Sequence, residues 1–202
     1  MVRTIPLQPG KYYHIYNRGN NREDLFIEER NYVYFLKLYS KHILPVAETF
    51  AYCLLKNHFH ILIKIRDFED PKGFQNPSGL NYVQPHQAFS NLFNAYAKAI
   101  NKTYDRSGSL FEHPFKRNEV ISNTHLLHFV AYIHKNPQKH EFVDDFRDWP
   151  YSSYASLLSS QPDLLNCDEV FGWFDGVEGF EEFHRIDVGD KNFISLGIKT
   201  LD

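Results

Sequence analysis

Two short stretches of this chain carry side chains whose types and spacing could do chemistry. The first is His58-Phe59-His60. In an extended strand successive side chains alternate between faces. Phe59, Ile61, Ile63 and Ile65 are therefore expected on one side, in a core, with His58 and His60 side by side on the other, open side. Two imidazoles so placed can converge on one divalent ion. Two unrelated histidines would leave the same trace in a chain that holds 11 of them. The second stretch is AYIHKNP at 131–137. At about 100° per residue, Leu126, Val130 and Ile133 form one helical face flanked by Phe129, while His125, His128, Tyr132 and Asn136 gather on another. Tyr132 and Asn136 are four residues apart, on consecutive turns. A phenolic oxygen can act as a nucleophile on phosphorus, and an amide oxygen can complete a metal site. A half-exposed tyrosine and an asparagine ending a helix before Pro137 is the competing interpretation.

The elements that must position these residues follow from periodicity. KYYHIYN at 11–17 alternates as a strand and RGNN at 18–21 reads as a turn. Residues 29–44 place Tyr32, Phe35, Leu36, Tyr39 and Ile43 at helical spacing until Pro45. Apolar runs at 49–55 and 58–65, separated by Lys56-Asn57, predict a hairpin. The stretch from Asp67 to Pro85, rich in Pro, Gly and Asn, predicts a long loop. A second helix is expected over 86–104, with Phe89, Leu92, Phe93, Tyr96 and Ile100 as its stripe. A strand over 110–121 follows, then a helix from Asn123 as N-cap to Asn136, ended by Pro137. The remainder reads as irregular wrapping and a short helix. This β-α-β-β-α-β-α order predicts an α+β fold, an antiparallel sheet with helices mainly on one face.

Composition narrows the classes. Cys53 and Cys167 are too few and too far apart for a disulfide framework or a zinc site. No run of about 18 apolar residues and no leader pattern is present, so a cytoplasmic protein without membrane contact is expected. Net charge is −3, but residues 1–120 hold 16 Lys+Arg against 11 Asp+Glu, and residues 121–202 hold 6 against 14. A local positive surface beside the first stretch is compatible with that asymmetry, as is an ordinary solvated surface.

The arrangement of HFH at 58–60 preceded by LLKN, and of YIHKNP at 132–137, resembles the HUH single-tyrosine transposase family. YYHIYNRG near the start, SGSLFEHPFKR at 107–117 and DWPYSSY at 148–154 point to its REP-associated tyrosine transposase branch. The resemblance covers residues 11–158. It implies a ferredoxin-like α+β sandwich, with residues 1–160 as the transposase domain and 161–202 as a C-terminal extension of unassigned role. It makes His58 and His60 the paired metal-binding histidines, Tyr132 the residue that attacks DNA, and Asn136 the oxygen-bearing third ligand. The chain departs from many relatives after the helix, with YIHKNPQKH in place of a hydrophobic residue and an arginine around YIHxNPxxA. That departure bears on substrate preference.

A phenol of pKa about 10 is only about 0.1 % ionised at pH 7, so such a tyrosine needs help. Two imidazoles and an amide oxygen suit Mg²⁺ or Mn²⁺, although the histidines would also accept zinc or nickel. The expected reaction is transesterification on single-stranded or hairpin DNA, giving a 5′-phosphotyrosine and a 3′ hydroxyl. Candidates to hold the DNA are Asn17, Arg18, Arg22, Lys56, and Lys116 and Arg117 of the PFKR run, with Lys98, Lys102 and Arg106 as weaker choices. Relatives acting as monomers and as homodimers with shared sites are both compatible with the sequence. A DNA-binding protein of the same fold without cleavage is the main alternative. A His-rich hydrolase using His125 or His128 and a protein-interaction domain are two others.

Overall fold

The computed structural model describes residues 5–67, 83–159 and 164–186. Its elements are β1 (Tyr12–Arg18), α1 (Glu29–His42), β2 (Ala47–Leu54), β3 (His58–Ile65), α2 (Pro85–Thr103), β4 (Lys116–Val120) and α3 (Asn123–Lys139), followed by the shorter α4 (Ser153–Leu158), α5 (Cys167–Trp173) and α6 (Val177–Arg185). The strands form one antiparallel sheet in the order β2-β3-β1-β4. With the preceding helices this is the β-α-β-β-α-β arrangement of ferredoxin-like folds, and the α+β class expected from periodicity holds.

Local chemistry explains where the helices begin. Asn31 Oδ1 accepts from the backbone N–H groups of Ile27 and Glu28, both at 2.9 Å, and so closes the first turn of α1. Pro85 opens α2 at a position where a missing N–H costs nothing. Ser122, one residue before the expected cap, accepts from His125 N at the start of α3.

Three expectations need correction. The strand over 110–121 is confined to β4, because Pro114 has no N–H to offer a ladder and Leu110, Phe111 and Phe115 turn into the core instead. Helix α3 does not stop at Asn136 but runs to Lys139 through Pro137. A proline this close to a helix end forfeits one ladder bond, while the carbonyls of Asn136 and Pro137 still accept from His140 N and Phe142 N. The long loop falls mostly on residues 68–82, outside the described residues. Finally, the histidine face of the sheet is not open.

Both faces of the sheet are covered. On one, Tyr13, Ile15, Phe59, Ile61, Ile63 and Ile65 pack with α1 and α2. On the other, Phe50, Ala51, Cys53 and Leu62 meet Leu126, Phe129, Val130 and Ile133 of α3, with Trp149, Tyr154, Val170 and Phe180 behind them. The helices inside the ferredoxin-like unit thus share one face, as expected, and those after it cover the other. The physical reason lies in β2 and β3, which alternate apolar side chains onto this second face as well and must bury them. Among the described residues no helix is long and apolar enough to cross a membrane.

Candidate metal and nucleophile site

The register of the sheet assembles the site. β1 pairs with β3 so that Tyr16 lies opposite His60 and Arg18 opposite His58. Side chains directly opposite share a face, so His14, Tyr16 and Arg18 stand on the histidine face and Tyr13 and Ile15 on the other. Helix α3 lies across that face and brings Tyr132 against His60 and His14 and His140 against His58, with Asn136 on the turn between Tyr132 and His140. The Tyr132 ring meets His60 edge-on, with centroids 5.4 Å apart, and meets His14 edge-on at 6.0 Å. His58 and His60 stand nearly perpendicular, 5.2 Å apart. His58, His60, Asn136 and Tyr132 are all buried, Tyr132 with only 2 % of its surface exposed.

Hydrogen bonds set the orientation of each donor. Asn57 Oδ1 lies 2.7 Å from His58 Nδ1. A carbonyl oxygen only accepts, so Nδ1 carries the proton and Nε2 keeps the lone pair. His60 Nδ1 is 2.9 Å from Nε2 of His14, and His60 Nε2 is buried without a hydrogen-bond partner. Asn136 Nδ2 donates to the Tyr132 carbonyl at 2.9 Å, one turn back, and its Oδ1 is likewise buried with no hydrogen bond. Burial holds His60 well below the ordinary histidine range, with His14, His58, His140 and Lys139 adding to the shift. Burial also lowers His14 to about 3. Both rings are neutral at ordinary pH, which is the form that binds metal.

These atoms fit a divalent cation. Buried polar atoms without a hydrogen bond are costly unless something fills them, and His60 Nε2 and Asn136 Oδ1 are such atoms. Among the described residues no group of three His, Cys, Asp or Glu side chains is placed to hold an ion. A cation here would therefore rest on His58, His60 and the amide oxygen of Asn136.

A chain of neutral hydrogen bonds pins α3 in place. Tyr52 N–H of β2 donates to Ser153 Oγ at 2.8 Å. Because His184 Nδ1 faces the Phe180 carbonyl at 2.7 Å, it must donate there, and its Nε2 must accept. His134 Nδ1 then donates to His184 Nε2 at 2.9 Å, and Ser153 Oγ–H donates to His134 Nε2 at 2.8 Å. His134 lies between Tyr132 and Asn136, so this chain ties the site helix to β2, α4 and α6.

The expected DNA contacts divide into groups. Lys56 is exposed in the turn beside His58, and Arg22 is exposed in the 3-10 turn next to it, where Gly19 N–H donates to Asn57 O and Leu25 N–H to Lys56 O. Arg18 and Lys116 lie on the histidine face, both ion-paired to Glu112. Asn17 is not available, since it is buried with Nδ2 on Glu112 O and Oδ1 on Arg18 N. Arg117 points to the other face, with its guanidinium 4.1 Å from the Phe115 ring centroid. Lys98 and Lys102 are exposed on α2, across the sheet from the histidines, and Arg106 is engaged by Glu23 and Asn101. His128 meets Phe183 of α6 edge-on at 5.5 Å.

Sequence reasoning missed four neighbours. His14 and Asn57 orient the histidines, His140 stands edge-on to His58 at 4.8 Å, and Lys139 Nζ lies 5.6 Å from the Tyr132 ring centroid. The alternation of KYYHIYN already put Tyr12, His14 and Tyr16 on one face, but only the β1–β3 register says which.

No family model matches the chain. A Haemophilus influenzae protein named as a REP-associated tyrosine transposase is 27% identical over 109 residues, which is 53% of this chain and 58% of that protein. The match thus spans less than two thirds of the relative's length. A solved structure described as a REP-associated tyrosine transposase bound to a REP hairpin shares the fold, with a TM-score of 0.58 over 83% of this chain and 89% of that chain at 18% identity. The chain is similar in sequence and in fold to REP-associated tyrosine transposases. In this transposase-like fold the paired histidines lie on the sheet and the tyrosine on the helix packed across it.

Proposed function

We propose that this chain is a transposase-like enzyme that binds hairpin or single-stranded DNA and cleaves it through Tyr132 with a divalent cation. The observation that carries the reading is Tyr132 edge-on to His60, together with two buried polar atoms among the expected ligands, His60 Nε2 and Asn136 Oδ1, that have no hydrogen bond. His58, His60 and Asn136 would hold Mg²⁺ or Mn²⁺. When bound, such an ion polarises a phosphate as a Lewis acid and fixes it for in-line attack. The Tyr132 oxygen bonds to phosphorus as the bond to the 3′ oxygen breaks. The phenol's proton is lost and the departing oxygen gains one, leaving a 3′ hydroxyl and a 5′-phosphotyrosine. The ammonium of Lys139 lies over the Tyr132 ring, where it favours negative charge on the reacting groups.

One observation favours a second reading, in which the chain binds DNA without cutting it: Tyr132 is 2 % exposed. Labelled single-stranded DNA separates the two. Incubated with Mn²⁺, the wild-type protein is expected to keep the label on a denaturing gel, and Tyr132→Phe to lose it completely. Binding without a covalent band in either protein would favour the second reading, and a band that persists in Tyr132→Phe would remove Tyr132 as nucleophile.

A further inference from the structure

The bond between His14 and His60 cannot satisfy both rings. A neutral imidazole carries one proton on two nitrogens. When His60 Nδ1 holds its proton and donates it to His14 Nε2, His14 must keep its own on Nδ1, which is buried without a partner. When His14 donates from Nε2 instead, the His60 proton sits on Nε2, equally buried and equally without a partner. Either arrangement strands one N–H away from water, and nothing within the pair ranks them. His58 differs, because the Asn57 carbonyl fixes its proton on Nδ1 in every case.

We propose that His14 is a positioning residue that makes His60 a metal ligand by accepting the His60 Nδ1 proton. In the metal-free protein the pair exchanges between its two tautomeric arrangements. A cation on His60 Nε2 needs the lone pair there and so selects the arrangement in which His14 accepts. This rests on the metal site proposed above. It adds that the group behind the ligand is another histidine, where a carboxylate or a backbone carbonyl is the usual partner. The Tyr16 ring stacks with the His14 ring and the Phe129 ring packs tilted against it, with centroids at 4.8 Å in each case.

The test is ring-nitrogen NMR of the full chain labelled with [¹⁵N]histidine, metal-free and titrated with diamagnetic Zn²⁺. On titration His60 is expected to become metal-bound at Nε2 and protonated at Nδ1, while His14 shifts to the Nδ1–H tautomer along the same isotherm. If Zn²⁺ moves neither His58 nor His60, the metal site itself fails. If both histidines bind while His14 keeps its proton on Nε2, the metal site stands and the role of His14 is overturned. Variants give a second readout. His14→Phe is expected to weaken Zn²⁺ binding by roughly 10–100-fold, and His14→Gln, which retains an acceptor, by clearly less. Unchanged affinity in a folded His14→Phe protein also overturns the proposal. Should that variant fail to fold, the wild-type spectra decide alone.

Discussion

At Asn136 the amide is divided between helix and site: Nδ2 donates to the Tyr132 carbonyl, and Oδ1 is buried with no hydrogen bond. Asn136→Ala removes both atoms. Losing one hydrogen bond costs about 1 kcal/mol, so the variant is expected to fold with a slightly lower Tm. Its Mn²⁺ affinity, read by calorimetry, should fall at least about tenfold, the usual scale for disturbing a metal's surroundings. Asn136→Asp keeps an oxygen in place and adds charge, and should bind at least as tightly as wild type. An Asp variant that binds as weakly as Ala would remove residue 136 from the ligand set. What could be read from the sequence at this scale was local periodicity. The i, i+4 spacing put Tyr132 and Asn136 on one side of a helix, and strand alternation put His58 and His60 on one face. His14 was not legible, because it lies 46 residues from His60 and meets it only through strand register. Asn17 misled for a related reason. Its polar type suggested contact with a phosphate, but the register buries it beside Glu112.

The helix that carries the tyrosine depends on elements far along the chain. Its buried histidine, His134, sits in a hydrogen-bond chain in which each donor and acceptor is determined. Ser153→Ala removes the donor to His134 Nε2 and leaves the Tyr52 N–H unpaired. Leaving buried groups unsatisfied costs about 1–3 kcal/mol each, so urea unfolding is expected to show a clear drop in midpoint with the m-value unchanged. A midpoint equal to wild type would mean that water or another group replaces the hydroxyl. The elements themselves were legible in order and nearly in extent. Their ends were less so, because a proline inside the last turn of α3 and a cap one residue early depend on geometry rather than on residue preference. The cover on the histidine face was missed because the apolar stripe of α3, though legible, does not say which face of the sheet it packs on. α5 and α6 are short, and the sequence after residue 160 offered no long periodic stripe to place there.

For the whole molecule, the two faces of the sheet make different predictions for DNA binding. Lys56 and Lys116 flank the histidines, whereas Lys98 and Lys102 lie across the sheet from them. Lys56→Ala and Lys116→Ala should each weaken binding and reduce the slope of log affinity against log salt by about 1. Lys98→Ala and Lys102→Ala should leave both unchanged in the same filter-binding assay. An equal effect from α2 would mean that the DNA lies over the other face.

Acid should also weaken the fold. Burial lowers His184 to about 4, although its bond to the Phe180 carbonyl works against the shift and nearby Lys135 adds to it. An unfolded histidine takes its proton near pH 6.5, so between about 6.5 and about 4 the unfolded chain binds more protons. The stability tied to a neutral His184 is present above about 6.5 and is lost as pH falls toward about 4. Between pH 7 and pH 5 this ring accounts for roughly 2 kcal/mol. His184→Phe should therefore lose less stability than wild type over that interval, and identical losses in urea unfolding would show that the ring is not held neutral.

The partner that pins His134 lies 50 residues further along the chain. Synthesis runs from the N-terminus, so a growing polypeptide contains the histidine pair and the tyrosine well before it contains His184. Until then α3 lacks the last link of its anchor and the second core lacks Phe180. If the cleavage proposed above needs a fixed α3, a ribosome-bound intermediate that still lacks His184 remains chemically silent toward nearby DNA.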